Sequence, residues 1–176
     1  MSQLILKEFR CVDDTNESGA ESPYFIVFVG DLTTGDNDTQ LVRQGNWHNE
    51  VDKGELWVVN APVVSGFSFK AGPTVVLVAL IEEDENVDIS KAEVNAIVKP
   101  IMDSQFESIK KAGTTTVTSA IAGSLRSAFN NALSIFLNND DNMGVIRLKV
   151  NGKTGLQPLL NYFADSGHYR VRFEVA

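Results

Sequence analysis

Residues 11–30 read CVDDTNESGAESPYFIVFVG, an acidic segment that runs directly into six consecutive aromatic or β-branched residues. The apolar run, 24–29, starts just after Pro23, where a strand can begin without losing a backbone donor that the sheet needs. A strand with one solvent-facing side would alternate polar and apolar residues, whereas this run is apolar on both sides. It therefore predicts a central strand with two buried faces.

Further short strands are predicted from runs of apolar and β-branched residues that are bounded by turn formers. These runs are 4–12, 39–43, 55–60, 63–69, 74–81, 145–150 and 169–175. In the first run, Ile5, Phe9 and Cys11 are expected to share the inward face. In the last run, apolar residues alternate with charged ones, which predicts one inward and one outward face. Asn151 and Gly152 form the dipeptide that two-residue hairpin turns favour, so a hairpin is expected there.

The hydrophobic pattern changes its period after residue 89. Ser90 and Glu93 have the spacing of a capping box, and a helical stripe of apolar residues continues to about residue 111. The stripe comprises Val94, Ile97, Val98, Ile101, Phe106 and Ile109. After Gly113, the segment 115–137 repeats the helical signal with apolar residues four positions apart. The two segments are predicted to be amphipathic helices that form a hairpin.

The number and spacing of these elements indicate the fold class. A chain of 176 residues has the length of one domain. Seven or eight short strands punctuated by turns indicate an antiparallel β-sandwich, which is mainly β, or α+β by content. We predict a single domain over residues 1–176, with the two-helix hairpin inserted at 89–138.

Charge and composition exclude several classes of protein. The net charge is −8 and the pI is near 4.7, so the protein repels phosphate backbones and nucleic acid is not an expected partner. The single cysteine, Cys11, excludes an internal disulfide and is expected to be an inert packing thiol. The sequence has no signal-like start and no apolar run of about 18 residues, so we expect a cytoplasmic protein without a transmembrane segment.

Three acidic clusters lie next to predicted strands, near residues 13–21, 82–88 and 138–142. Two carboxylates about 4 Å apart repel each other by on the order of 4 kcal/mol at an effective dielectric of about 20, so clusters that converge need a cation. Calcium suits them because it takes about six to eight oxygen ligands. Clusters that do not converge are solvated loops. The predicted calcium ligands are Asp13, Asp14, Asn16, Glu21, Glu83, Asp84, Asp140 and Asp141.

Residues 19–24, GAESPY, followed by an apolar strand, resemble a hallmark of the calcium-dependent phospholipid-binding β-sandwich domains of protein kinase C and synaptotagmin. Where that family has a calcium-binding Asp directly before the Pro, this chain has Ser22, with Glu21 one residue earlier. Asp141 lies three residues before a glycine that opens a strand, which is similar to the second half of the family's site. The resemblance covers residues 4–88 and 138–176, and it implies calcium as cofactor and lipid headgroups as partners.

We expect a non-enzymatic, calcium-binding module that contacts lipid headgroups or a protein. The sequence contains no Gly-x-Ser-x-Gly elbow, no phosphate loop and no dinucleotide fingerprint. Two alternatives stay open. A carbohydrate-binding, lectin-like sandwich would read sugars with the aromatic residues Trp47, Trp57, Phe67 and Phe69. A structural or toxin-like component would form homo-oligomers through the helical hairpin.

Overall fold

The computed structural model describes residues 2–13, 23–43, 53–82, 90–137, 141–164 and 167–176. Within these ranges the chain forms nine strands and two helices. The strands are β1 (Ser2–Asp13), β2 (Tyr24–Asp31), β3 (Asn37–Val42), β4 (Leu56–Phe67), β5 (Thr74–Glu82), β6 (Asp141–Leu148), β7 (Gly155–Leu156), β8 (Leu160–Ala164) and β9 (Gly167–Val175). The helices, α1 (Lys91–Lys111) and α2 (Ser119–Phe136), lie between β5 and β6 in the sequence.

The strands form two antiparallel sheets. The first sheet has the order β4-β1-β9-β7, with β8 also paired to β9, and the second has the order β3-β2-β5-β6. The predicted antiparallel β-sandwich with a two-helix insertion is therefore confirmed. The strand count differs from the predicted seven or eight because β7 and β8 occupy 155–164, where the sequence shows no strand pattern, while two predicted strands merge into β4.

The second sheet is buried on both of its faces. Every residue of β2 and β5 is buried, which confirms the central strand predicted at 24–29. Phe25 and Val27 point into the core between the sheets, whereas Ile26 and Phe28 point into a second core against the helices. The molecule thus has three layers: the first sheet, the second sheet and the helix pair.

Helix α1 begins at the predicted capping box. The N–H of Glu93 donates to Ser90 Oγ at 3.2 Å, and the N–H of Ser90 donates to the Glu93 carboxylate at 2.7 Å. The buried face consists of residues four positions apart: Val94, Val98, Met102 and Phe106. Met102 was absent from the predicted stripe, and the three isoleucines of that stripe are only partly buried.

Helix α2 begins at Ser119, later than the predicted start near 115. The cause is Thr118, whose Oγ1 accepts a hydrogen bond from the N–H of Ile121 at 3.2 Å and so caps the helix. The residues of α2 that pack into the second core are buried: Ala122, Leu125, Phe129, Ala132 and Leu133. The small residues of α2 therefore serve, in part, to pack the helix within its own chain.

The first strand departs from its predicted face because of a β-bulge. The pairing of β1 with both β4 and β9 shifts its register between Leu6 and Glu8. A bulge adds one residue and reverses the side on which later residues lie. Leu6 therefore shares the buried face with Phe9 and Cys11, and the prediction that Ile5 shares it is wrong.

Residues 55–60 and 63–69 were predicted as two strands, but most of both runs belongs to the single strand β4. The chain passes through Ala61-Pro62 with irregular pairing to β1 and with Asn60 at φ 52°. Strand β4 lies at the edge of the first sheet, where the missing N–H of Pro62 costs little.

The hairpin predicted at Asn151 and Gly152 is wrong. Strand β6 pairs with β5 in the second sheet while β7 pairs with β9 in the first, so residues 149–154 cross between the sheets. The dipeptide still turns the chain: Gly152 has φ 72°, and Asn151 Oδ1 accepts a hydrogen bond from the N–H of Lys153 at 3.0 Å. Long-range pairing decides which strands this turn joins.

Replacement of Phe106 by Ala should lower the free energy of unfolding by about 3–5 kcal/mol, because a buried aromatic ring is lost and a cavity remains. The ring lies edge-on to Phe28, with centroids 5.8 Å apart, and fills the space that a Cβ at Gly30 would need. Chemical denaturation measures the change. Phe163, which is 69% exposed, gives the matched control Phe163→Ala, with an expected cost of about 1 kcal/mol or less. Equal costs for the two variants would contradict a core role for the helix layer.

Candidate functional site

The strand ends that border the three acidic clusters lie at one end of the sandwich. In the second sheet, Glu82 at the end of β5 pairs with Asp141 at the start of β6, and Tyr24 at the start of β2 pairs with Ile81. In the first sheet, β1 ends at Asp13. We call this end of the sandwich, marked by Asp13, Tyr24, Glu82 and Asp141, the acidic end.

A contact between the sheets shows that both share this end. Phe9, near the end of β1, packs edge-to-face on Phe25, near the start of β2, with ring centroids 5.7 Å apart. Phe9 also stacks on Tyr169 of β9 at 5.4 Å. The last residues of β1 and the first residues of β2 therefore approach the acidic end side by side.

Among the predicted calcium ligands, Asp13 has a described side chain. Its Oδ1 lies 2.7 Å from Lys53 Nζ, and both side chains are at least half exposed. An exposed ion pair of this kind contributes at most about 1 kcal/mol, so a divalent cation can displace the ammonium group at little cost. Asp141 is placed opposite Glu82 by its backbone pairing. Six predicted ligands lie outside the described residues: Asp14, Asn16, Glu21, Glu83, Asp84 and Asp140.

Glu82 is a residue of this end that the predicted ligand set omitted. Its side chain is buried, with 4% exposed, although it is the last residue of β5. Burying a carboxylate is costly unless it is paired, and Glu82 has an interaction partner in the structure. In the sequence, Glu82 directly follows the apolar run 74–81, a position that indicates the first residue of a loop rather than a buried strand residue. Within the described part of the chain, no three His, Cys, Asp or Glu side chains are arranged to hold a metal ion.

His168 reports on the electrostatics of the acidic end. It lies opposite Asp13 in the β1–β9 pairing, its ring stacks on Phe163 with centroids 4.2 Å apart, and its Nε2 is 3.3 Å from Asn161 Oδ1. Partial desolvation, together with the nearby cation of Arg170, lowers the pKa of His168, while the Asp13 carboxylate opposes that shift. The imidazole is therefore a local probe of the charge at Asp13.

Two of the four aromatic residues proposed for sugar binding are buried. Phe67 and Phe69 are buried and contact each other at 6.1 Å between ring centroids. Trp57 is partly buried against the sandwich core, and its Nε1–H donates to Glu55 at 3.2 Å. Trp47 lies outside the described residues. Sugar binding stays a prediction, and the burial of two of its four residues weighs against it.

Comparison of the chain with protein-family models, with curated proteins and with solved structures found no match. The resemblance to calcium-dependent phospholipid-binding domains thus depends on the sequence motif and stays a prediction. Neither α1 nor α2 combines the length and the apolar character that a membrane span requires.

The variant Asp13→Asn should lower the pKa of His168 further, because the carboxylate that favours the imidazolium form is removed. NMR titration of the histidine ring protons measures the shift. Asp36→Asn is the matched control, since Asp36 is exposed in the turn between β2 and β3, at the other end of the sandwich. A His168 pKa that rises or does not change in Asp13→Asn would contradict this account of the acidic end.

Proposed function

We propose that the chain is a non-enzymatic, calcium-binding β-sandwich module whose acidic segments near 13–21, 82–88 and 140–142 bind calcium together. One observation carries the proposal: the strands that border these segments end side by side, with Glu82 paired to Asp141. Carboxylates on segments so anchored repel one another, and a hard divalent cation offsets that repulsion.

The chemistry of the cluster favours calcium over other metals. Its candidate ligands are carboxylate and amide oxygens, whereas zinc and copper sites use cysteine and histidine. Calcium also tolerates irregular sets of about six to eight oxygens, while magnesium demands a near-octahedral arrangement. Asp13 is a described carboxylate at this end that can contribute oxygens.

Calcium binding would also change what the acidic end can contact. Without metal, a protein of net charge −8 is repelled by anionic lipid headgroups. Bound calcium neutralises that charge locally and can bridge to a phosphate oxygen. Phe163, which is 69% exposed beside His168, offers an apolar side chain next to this surface. The proposed partner of the calcium-loaded end is therefore an anionic lipid headgroup.

After treatment with a chelator, the protein should bind calcium with measurable heat and should melt at a higher temperature when calcium is added. A ligand present at about 100 times its Kd, and bound only by the folded state, stabilises that state by about 2.7 kcal/mol. Isothermal titration calorimetry and thermal unfolding measure the two effects.

The variants Asp84→Asn and Asp141→Asn should weaken calcium binding, while Asp36→Asn, with the same charge change at the other end, should not. Sedimentation with anionic vesicles, with and without calcium, tests the lipid contact. Absence of heat and of a melting shift at millimolar calcium would contradict the proposal.

A further inference from the structure

A cavity of about 220 Å³ lies between α2 and the edge strand β6, away from the acidic end. Its lining is formed by six residues: Ser119, Ala122, Gly123, Arg126, Arg147 and Lys149. Three of these carry a positive charge and none carries a negative charge, although the whole protein has a net charge of −8.

Regular secondary structure brings the three cations together. Arg147 lies in β6, on the side on which Val145 packs against the helices, and Lys149 is two positions further on, just after the strand ends. Arg126 is one helical turn beyond Ala122 and Gly123, so it lies on the face of α2 that turns toward the same strand. The cluster is therefore set by the register of α2 on β6.

None of the three cations forms an ion pair with a carboxylate that the structure describes. Other basic residues of the chain do, for example Lys7 with Glu174 at 3.0 Å and Lys99 with Asp103 at 3.2 Å. Three clustered cations that pair with no described carboxylate form a site of positive potential around one cavity, even in a strongly acidic protein.

The guanidinium group of Arg147 forms one hydrogen bond to the backbone and has one buried donor without a described partner. Its Nη2 donates to the carbonyl oxygen of Val117 at 3.4 Å, while its buried Nε has no hydrogen-bond partner among the described atoms. Burial lowers the pKa of Arg147 because it removes water from the guanidinium group. An anion in the cavity would offset both the desolvation of the guanidinium group and the repulsion among the three cations.

We propose that this cavity binds a phosphate group, either the free ion or the monoester of a small molecule. The guanidinium forks of Arg126 and Arg147 match the oxygens of phosphate, and Lys149 adds a compact charge. Ala122 and Gly123 line the cavity with small residues, which leave space for the ligand. The first turn of α2 adds a partial positive charge. The cavity is smaller than the sites of drug-sized ligands, which begin at about 300 Å³, so it suits a compact group.

This site is separate from the proposed calcium site. Arg147 pairs with Leu77, five residues before Glu82 on β5, which corresponds to roughly 17 Å along the strand at about 3.4 Å per residue. Phosphate binding is therefore tested in the presence of a chelator, where calcium cannot contribute. The result of the phosphate titration is therefore independent of whether the protein binds calcium.

Titration of the full chain with inorganic phosphate should produce saturable NMR shifts of the amides of Ser119, Ala122 and Gly123. Arg126→Gln and Lys149→Gln should each weaken binding about tenfold, the usual order for a lost charge-assisted hydrogen bond. Both side chains are exposed, so the variants keep the fold. Arg10→Gln is the matched control, because Arg10 is exposed, forms no ion pair with a described carboxylate and loses the same charge.

A parallel titration with glycerol phosphate distinguishes the two sources of the group: tighter binding than inorganic phosphate assigns a monoester, and weaker binding assigns the free ion. Absence of saturable shifts at millimolar concentrations of both probes would overturn the proposal. Equal weakening in Arg10→Gln and Arg126→Gln would overturn it as well, because binding would then follow net charge rather than the cavity.

Discussion

Strands β2 and β5 have no polar side, and this constraint governs the rest of the structure. A sheet that is apolar on both faces is stable only when both are covered. The first sheet covers one face, and α1 and α2 cover the other. Since each large apolar side chain contributes about 1.5–3 kcal/mol on burial, losing the helix layer would expose Ile26, Phe28 and Leu77 at a cost comparable to the stability of a whole domain. The helical insertion is thus the third layer of the core.

The same arrangement separates the charges of the molecule. Antiparallel pairing brings the end of β5 and the start of β6 together, which places Glu82 opposite Asp141 at the acidic end. The far end of β6 meets the start of α2, where Arg147 and Lys149 line the basic cavity. Positions of opposite charge are therefore fixed at separate places by strand register and helix packing, and each is suited to a ligand of the opposite sign.

Local patterns in the sequence predict the elements that depend on local physics. The double-sided apolar run 24–29, the Ser90 and Glu93 capping box and the alternation in β9 are all confirmed. Features that depend on which strands pair with each other are not predicted by local patterns in the sequence. The bulge in β1 reverses one face, and the turn at Asn151 and Gly152 joins two sheets rather than two neighbours.

The candidate sites also differ in how far local sequence patterns predict them. Runs of acidic residues are visible in the sequence, and the pairing of the described strands shows that the strands beside them end together. Arg126, Arg147 and Lys149 have no such signal, because they are separated along the chain and meet only through the packing of α2 on β6. Six of the predicted calcium ligands lie outside the described residues, so their role stays a prediction.

A divalent cation at the acidic end can be located by replacing calcium with a paramagnetic lanthanide, which broadens the NMR signals of nearby amides. We expect selective broadening at Tyr24, Glu82 and Asn142, reversed by excess calcium, while the amide of Lys149 is unaffected. Broadening that is absent, that calcium does not reverse, or that is centred on another part of the molecule would contradict this expectation.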